Sequence, residues 1–173
     1  MEKSTTSLQQ VRQRHIQQMT KTCLILGHVL KNLSEAQAHD LRDGPEGWSI
    51  IEVVCHLRDF DEIFYNRAQM MLTQDHPQLP AYDHEAMAIE KKYQDEELAY
   101  VYYDLKASRE RFVSFFESLT DEQWEHTGIH PERESFTMTD AVMQVGLHDI
   151  SHIEQITRIL EEEHPDSGII PDD

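Results

Sequence analysis

Residues 48–72, WSIIEVVCHLRDFDEIFYNRAQMML, carry the clearest helical signal in this chain of 173 residues. Ser49 and Glu52 form a capping box, which fixes the residue at which the helix starts. Apolar residues then recur at intervals of three and four, the spacing of an amphipathic helix. Beside this apolar stripe runs a mostly polar one, which consists of Glu52, His56, Asp59, Ile63 and Arg67.

Three more segments repeat the helical period. One spans residues 8–33, one spans about 96–119, and one begins at a capping box formed by Thr137 and Asp140. No segment alternates with a period of two, so no sheet is predicted. The sequence therefore predicts a single all-α domain over residues 1–160, a four-helix bundle.

Two segments lie outside this helical pattern. Residues 73–95 contain two prolines and scattered charges, which predicts a long connection between the second and third helices with one or two helical turns. Such a connection can cover a pocket in the bundle. Residues 161–173 are acidic and contain two prolines and a glycine, so we expect a mobile C-terminal tail.

Composition excludes several classes of function. Fifteen basic residues stand against 33 acidic ones, and the formal charge of −18 repels phosphate backbones and anionic membranes. Neither a signal peptide nor a run of about 18 apolar residues is present, so no membrane association is predicted. Two cysteines in a core of this size indicate reduced thiols and a cytoplasmic protein.

Two histidines lie one helical turn apart in the fourth helix, at His148 and His152. This spacing places two imidazoles side by side on one helix face, where a metal ion can bridge them. Both fall on the apolar stripe of that helix, which is expected to face the core. Its other members are Met138, Val142, Val145, Ile156 and Ile159.

A third histidine, His56, lies on the polar stripe of the second helix. Three histidines from two facing helices would complete a catalytic type of metal site, because three ligands leave a position open for water or substrate. Neutral imidazole suits Zn²⁺, Ni²⁺, Cu²⁺ or Fe²⁺. Such a site can lower the pKa of a bound water or hold a substrate thiol as thiolate. The competing interpretation is a set of packed, hydrogen-bonded histidines without metal.

Other polar residues near these histidines are weaker candidates for the site. Asp59, one turn after His56, could orient an imidazole from outside the ligand set or join that set. Cys55 points about 100° away from His56 and is not expected to take part. Arg67 could meet an anionic substrate group, although a surface salt bridge is the favoured role. Asp149 is expected to be a solvated charge of its helix, and so is Glu154.

The remaining histidines and charges are expected to be structural or exposed. The carboxylate of Glu52 is expected to cap its own helix. His15 and His28 are expected to pack along the first helix. Arg109 is placed with the charges on the outer side of the third helix. Exposure is predicted for the histidines of the connections and the tail, which are His76, His84, His126, His130 and His164.

Taken together, the motifs resemble the DinB-like superfamily of four-helix metalloproteins, which includes YfiT-type proposed metal-dependent hydrolases and bacillithiol transferases. The resemblance runs through most of the chain. It rests on Trp48-Ser49, Glu52, His56-Leu57-x-Asp59 and Arg67, and on His148-Asp149-x-x-His152-x-x-Gln155-Ile156. Asp61 stands where many relatives carry Glu, a conservative change.

The resemblance implies an up-down-down-up bundle, often dimeric, with a divalent metal held by His56, His148 and His152. Zn²⁺ or Ni²⁺ is the expected ion. The leading hypothesis is an enzyme that activates a low-molecular-weight thiol for transfer to a small electrophile. The alternatives are a hydrolase that uses metal-bound water and a non-catalytic metal-binding stress protein. A homodimer is expected, with a small-molecule substrate and no nucleic acid.

Overall fold

The computed structural model describes residues 6–163 of the chain. Within them the helices are α1 (Ser7–Leu30), α2 (Glu35–Asp40), α3 (Ile50–Thr73), α4 (His84–Glu90), α5 (Leu98–Ser118) and α6 (Met138–Glu163). Two short strands, β1 (Thr127–His130) and β2 (Arg133–Thr137), lie between α5 and α6. The four long helices form the bundle, so the predicted all-α four-helix class is confirmed.

The capping boxes begin the helices where the sequence predicts. In α3 the backbone N–H of Ser49 donates to Glu52 Oε2 at 2.8 Å, and that of Glu52 donates to Ser49 Oγ at 3.4 Å. The same reciprocal pair joins Thr137 and Asp140 at the start of α6. Each cap satisfies backbone donors that the first helical turn leaves unpaired. The cap holds the Glu52 carboxylate at the start of the helix, so this carboxylate is not available as a metal ligand.

Contacts between α1 and α6 show that these two helices run parallel. Arg12 Nε donates to Thr139 Oγ1 at 2.9 Å, and ten residues later in both helices Thr22 donates to Asp149. Because both partners advance in the same direction, the first and last helices of the bundle point the same way. They lie side by side although nearly the whole chain separates them.

The middle pair of long helices, α3 and α5, is also parallel. Asp61 pairs with Arg109 and Glu62 with Arg111, again in ascending order on both helices. Parallel neighbours need a long crossover, and the segment from residue 74 to 97 supplies it. Between α3 and α6 the order reverses, and this pair is antiparallel. The topology is therefore up-down-down-up, as the resemblance implies.

A polar layer divides the buried core into two halves. One half is formed by the ends of α3 and α5 and the start of α6, and it is rich in aromatic rings: Phe60, Phe64, Phe112, Phe116, Phe136 and Trp124. The other half is mostly aliphatic and includes Ile50, Ile51, Val54, Leu57, Val101, Leu105, Ile156 and Ile159. The candidate site lies at the level where these two halves meet.

The hairpin of β1 and β2 corrects the prediction that no sheet forms. Its strands pair antiparallel, with an irregular register between Gly128 and His130. Strands of four and five residues are too short to show an alternating pattern in the sequence. The hairpin is joined to the long connection, because the N–H of Leu79 donates to the carbonyl of Ile129 at 2.8 Å. Connection and hairpin together cover one side of the bundle.

Part of the segment predicted as a mobile tail is helical. Residues 161–163 continue α6, so the helix extends three residues past the predicted boundary. Residues 164–173, including His164, lie outside the described part of the chain. None of the helices between residues 6 and 163 combines the length and apolar content that crossing a lipid bilayer requires.

Candidate metal centre

The structure brings the three predicted histidines to one point. Antiparallel packing of α3 against α6 places His56 opposite His148 and His152, with ring centroids 4.9 and 4.8 Å away. The Nε2 atoms of His56 and His148 are 3.0 Å apart, and those of His148 and His152 are 3.1 Å apart. Within residues 6–163 this is the group whose donor atoms are close enough to share one ion.

Burial keeps the three rings neutral. It lowers the pKa of His56 to about 3, and the neighbouring rings of His152 and His84 lower it further in the same direction. Burial likewise lowers the pKa of His148, with contributions from His152 and His56. The pKa of His152 is also lowered by burial, although the Gln155 side chain opposes the change. Metal ions bind the neutral form of imidazole, so the rings are in the state that a metal requires.

The hydrogen bonds of His152 fix its tautomer. Its Nδ1 lies 2.7 Å from Gln155 Oε1, and the Gln155 amide nitrogen in turn donates to Asp43 Oδ2 at 2.9 Å. The His152 proton therefore resides on Nδ1, and the lone pair is on Nε2. Arg158 holds Asp43 from the other side, so the carboxylate stays charged. Hydrogen bonds from Arg158 and then Gln155 lower the pKa of Asp43 accordingly.

The donor set fits a divalent metal. Three nitrogens bound at about 2.0–2.1 Å to one tetrahedral ion lie roughly 3.3 Å from each other, close to the spacings of 3.0 and 3.1 Å seen here. A single proton on His148 Nε2 could satisfy one of its two nitrogen contacts but not both. One cation would accept all three lone pairs. The cluster therefore has the composition and geometry of a three-histidine metal site.

Asp59 is not the residue that orients these rings, contrary to the sequence-based expectation. Its carboxylate accepts from Tyr93 at 2.6 Å, from Lys91 at 2.8 Å and from Arg58 at 3.0 Å. Burial raises the pKa of Asp59, but hydrogen bonds from these three groups outweigh it and the net pKa is lowered. Asp59 ties α3 to the long connection. The orienting role belongs to Gln155 and Asp43, which the sequence did not single out for it.

Asp149 and Arg109 are buried, which overturns the expectation that both are solvated. Arg109 donates to Asp61 at 2.7 and 2.9 Å, to Asp149 at 2.6 and 3.0 Å, and to the carbonyl of Met19 at 2.6 Å. The hydroxyl of Thr22 also donates a hydrogen bond to Asp149. Burial raises the pKa of Asp61 even though Arg109 opposes it, because one guanidinium serves two carboxylates. This polar cluster lies directly beside the histidines.

A cavity of about 200 Å³ adjoins the histidine site. The ring of Phe60, which lines the cavity, stacks on the ring of His148 at 3.6 Å with an interplanar angle of 7°. The His84 ring lies edge-on to His56 at 4.8 Å. The prediction of exposure is therefore wrong for His84, which is half-buried in the cavity wall. No local pattern marks this role, because α4 is brought to α3 only by the path of the connection.

Arg67 and His130 form the far end of this cavity. Arg67 was expected at the surface in a salt bridge, but it is 6 % exposed and forms no ion pair with residues 6–163. His130 is half-buried rather than exposed, and its Nε2 lies 3.3 Å from Arg67 Nη1. Both residues are brought there by the packing of the hairpin against α3. Because the strands of the hairpin are too short to be recognised in the sequence, this contact could not be predicted.

Cys55 is excluded as a nucleophile. Its thiol is fully buried and contacts the carbonyl of Tyr93 at 3.9 Å. Burial raises the pKa of Cys55 to about 12, so the reactive thiolate is disfavoured. Its side chain points away from the site, as its position next to His56 on the helix predicts.

Fold and site together define a four-helix bundle with a three-histidine centre of the metal-binding type. The sequence pattern of the DinB superfamily matches residues 25–156, which is more than half of the chain. The chain therefore belongs to the DinB superfamily.

Two curated relatives are similar to most of the chain. "Putative metal-dependent hydrolase OB0413" of Oceanobacillus iheyensis is 28% identical over 134 residues, which cover 76% of this chain and 75% of the relative. "Putative metal-dependent hydrolase YfiT" of Bacillus subtilis is 29% identical over 119 residues, covering 68% and 66%.

A solved structure of YfiT from Bacillus subtilis has the same fold. It superposes with a TM-score of 0.82 at 24% identity, covering 94% of this chain and 92% of that one. YfiT is described there as a probable metal-dependent hydrolase with an unusual four-helix bundle topology. At this level of identity the match establishes the shared fold alone.

Proposed function

We propose that this protein is a metal-dependent enzyme in which His56, His148 and His152 hold Zn²⁺ or Ni²⁺. The observation that carries the proposal is the convergence of three neutral Nε2 atoms beside a cavity. Three protein ligands leave the ion with an open position, which is typical of catalytic sites. Borderline nitrogen ligands favour Zn²⁺ and Ni²⁺ over Mg²⁺ or Ca²⁺, which prefer oxygen.

The reaction we favour is transfer of a low-molecular-weight thiol to a small electrophile. The bound metal would supply stabilisation of the thiolate at neutral pH. A bond forms between the sulfur and an electrophilic carbon, and the bond from that carbon to its leaving group breaks with its electron pair. The thiol proton ends on the leaving group, so no oxidant or reductant is needed.

Residues of the cavity would divide the remaining tasks. Phe60 covers one face of His148 and keeps water from it. His84 lies against His56 and lines the cavity, so it is placed to accept the thiol proton and pass it to the leaving group. Burial lowers the pKa of His84, followed by the charge of Arg67, so the ring is neutral and able to accept. The chain through Gln155 and Asp43 keeps His152 in its ligand tautomer.

Hydrolysis is the second candidate, and the names of the two curated relatives favour it. A hydrolase of this kind needs a base to activate water, commonly a carboxylate. The carboxylates around the site are engaged by cations instead: Asp59 by Lys91 and Arg58, Asp149 by Arg109, and Asp43 by Arg158. Because these carboxylates are engaged, the neutral ring of His84 is placed to act as the base in either reaction, and the two reactions differ in their products.

A third candidate is a metal-binding stress protein without catalysis. It predicts that metal raises the melting temperature but that no substrate turns over. A cavity whose lining residues Phe60 and His84 contact His148 and His56 favours an enzyme, because a purely structural ion needs no space near it.

The experiment that separates these candidates follows thiol and product together. Metal-loaded protein is incubated with cysteine and monochlorobimane and, in parallel, with cysteine and a panel of ester and amide substrates, and free thiol and products are quantified by mass spectrometry. Thiol transfer predicts loss of thiol matched by adduct at a rate above that of the His152→Ala variant. Hydrolysis of ester or amide substrates without thiol loss would instead support the hydrolase. Neither reaction, with metal bound, would support the non-catalytic protein.

We also propose that the protein forms a homodimer in the cytoplasm. Apolar side chains about half exposed to solvent lie on the adjacent helices α1 and α6, at Leu24, Ile25, Leu147 and Ile150. Pairing such faces would bury them. The thiols of Cys23 and Cys55 are free, which suits a reducing compartment. Sedimentation of the wild type and of Leu147→Glu/Ile150→Glu tests the dimer, and a monomeric wild type would contradict it.

A further inference from the structure

Arg67 carries a buried charge that residues 6–163 do not neutralise. Its Nη2 donates to the carbonyl of Pro80 at 2.6 Å, and its guanidinium lies 5.0 and 5.3 Å from the rings of Phe64 and Tyr82. Its Nε is closed to solvent and has no acceptor among the described residues. Burial lowers the pKa of Arg67. A guanidinium in such a place is costly unless an anion approaches it.

At the contact between Arg67 and His130, two hydrogen-bond donors face each other. The backbone N–H of Glu132 donates to His130 Nδ1 at 3.2 Å, which makes that nitrogen the acceptor of the ring. The proton of the neutral ring is therefore on Nε2, the atom that faces Arg67 Nη1 at 3.3 Å. Two N–H groups converge there without an acceptor between them. An oxyanion at this position would accept from both.

The surroundings of this donor pair are cationic and apolar. The guanidinium of Arg133 also lines the cavity, together with the neutral ring of His84 and the rings of Phe60 and Phe136. One carboxylate, that of Glu132, lies in the wall, but it is exposed and forms no ion pair with Arg67. A local excess of positive charge is notable in a chain whose formal charge is −18. The cavity is therefore built for an anion with an apolar body.

The donor pair and the histidine site lie at two levels of the same helix face. Eleven residues separate His56 from Arg67, which is about three turns of α3 and roughly 16 Å between their backbones. Phe60 and Phe64 lie between them on that face and line the cavity. A substrate anchored at Arg67 would reach toward the metal along these rings.

We propose that Arg67 and His130 form the carboxylate-binding subsite of the substrate pocket, selecting small electrophiles with an apolar body and a carboxylate at the far end. This inference rests on the proposed function, since the anchored molecule is the one on which the three-histidine site would act. A carboxylate matches the single guanidinium in charge and the planar fork in geometry. Arg67 is thus a specificity-determining residue.

Calorimetric titration tests the subsite without knowledge of the substrate. Phenylacetate, 3-phenylpropionate and 4-phenylbutyrate are titrated into the wild type and compared with their neutral amides. At least one acid should bind about tenfold or more tightly than its amide, since a charge-assisted hydrogen bond to a buried group is lost in the amide. Equal or undetectable binding of acids and amides across the series would overturn the proposal.

Variants locate the binding. Arg67→Gln should reduce acid affinity to that of the amide, and Arg67→Lys should retain part of the preference. Arg111→Gln is the matched control, because Arg111 also lies over an aromatic ring, Tyr65 at 4.7 Å, but outside the cavity. It should leave the preference unchanged. Should Arg67→Gln fail to fold by circular dichroism, His130→Phe removes the second donor and should weaken acid binding alone.

A further variant separates this proposal from the metal site. In His152→Ala the acid preference should persist, because the carboxylate binds Arg67 and not a metal. Loss of the preference in His152→Ala but not in Arg67→Gln would show that the acid coordinates the metal, and would overturn the subsite. Absence of metal and turnover with the preference intact would overturn the proposed function alone.

Discussion

Two polar clusters are buried next to each other between α3 and α6, and their hydrogen bonding differs completely. Around Arg109, donors and acceptors are matched: the guanidinium binds Asp61, Asp149 and a main-chain carbonyl. Around His148 the pairing is incomplete, because its Nε2 has two nitrogen neighbours, His56 Nε2 at 3.0 Å and the lone pair of His152 Nε2 at 3.1 Å. The Arg109 cluster is fully buried, whereas His148 and His152 are half-buried.

This difference distinguishes a cluster that stabilises the fold from a cluster that is able to bind a ligand. A fully paired ionic cluster fixes the relative positions of α1, α3, α5 and α6, and it has no remaining capacity for a ligand. The histidine cluster has lone pairs left over and a cavity beside it. Arg67 belongs with the histidines in this respect, because it is buried like Arg109 but has no carboxylate partner within residues 6–163. Incomplete pairing inside the protein marks the positions at which we propose that a metal ion and a carboxylate bind.

The largest effect is expected from breaking the matched cluster. Arg109→Met leaves Asp61 and Asp149 as two buried carboxylates without a cation, and it should lower the free energy of unfolding by about 3–5 kcal/mol. Urea denaturation followed by circular dichroism measures this.

The companion variant for this test is Asp61→Leu/Arg109→Met/Asp149→Leu, which removes all three charges together. Because no unpaired charge remains, it should be considerably more stable than the single variant. If the triple variant were the less stable of the two, the assignment of this cluster as a matched ionic framework would be wrong.

Acid should act selectively on the histidine cluster of the metal-free protein. In the unfolded chain a histidine has a pKa of about 6.5, whereas burial lowers that of His56 to about 3. The unfolded state therefore binds more protons between these values, so stability is full above about pH 6.5 and is lost as the pH falls toward 3. At pH 5.5 the loss should be about 1.4 kcal/mol for each of His56 and His148, which together exceed any single-bond effect described below.

Urea midpoints of the chelator-treated protein at pH 7.5 and 5.5 measure this loss. His56→Phe/His148→Phe removes two of the titrating rings and should flatten the difference between the two midpoints. An equally steep pH dependence in the double variant would assign the acid sensitivity to other groups.

The smallest of these effects concerns the residue that orients His152. Gln155→Ala removes the acceptor for the Nδ1 proton and should weaken metal affinity about 10- to 100-fold, with little change in metal-free stability. Competition with a chromogenic chelator measures the affinity. Asp59→Asn is the comparison, and its metal affinity should stay within about twofold of the wild type. A larger loss in Asp59→Asn than in Gln155→Ala would restore the role expected for Asp59.

Much of the fold can be predicted because its signals are local. The helices α3 and α6 are long and periodic, and each starts at a capping box that the structure reproduces. The position of His56, His148 and His152 on inward-facing stripes follows from the same periodicity. Two facing helices then suffice to bring the three rings together, and the family match agrees with the resemblance.

What could not be predicted depends on contacts between distant segments. Asp149 is an ordinary acidic residue of its helix until α5 brings Arg109 against it. His84 and His130 belong to segments with weak local patterns, and only the joining of the connection to the hairpin places them in the cavity wall. The orienting role of Asp43 is hidden for the same reason, since its partners Gln155 and Arg158 are more than a hundred residues away.

The central claim is that the incompletely paired histidines hold a metal ion. Plasma mass spectrometry of the untagged protein, before and after incubation with Zn²⁺ and Ni²⁺, tests it against the His152→Ala variant. The account predicts near-stoichiometric metal in the wild type and its loss in the variant, with both proteins folded. No metal in either protein, even after incubation, would contradict it and leave three packed histidines in an all-helical bundle.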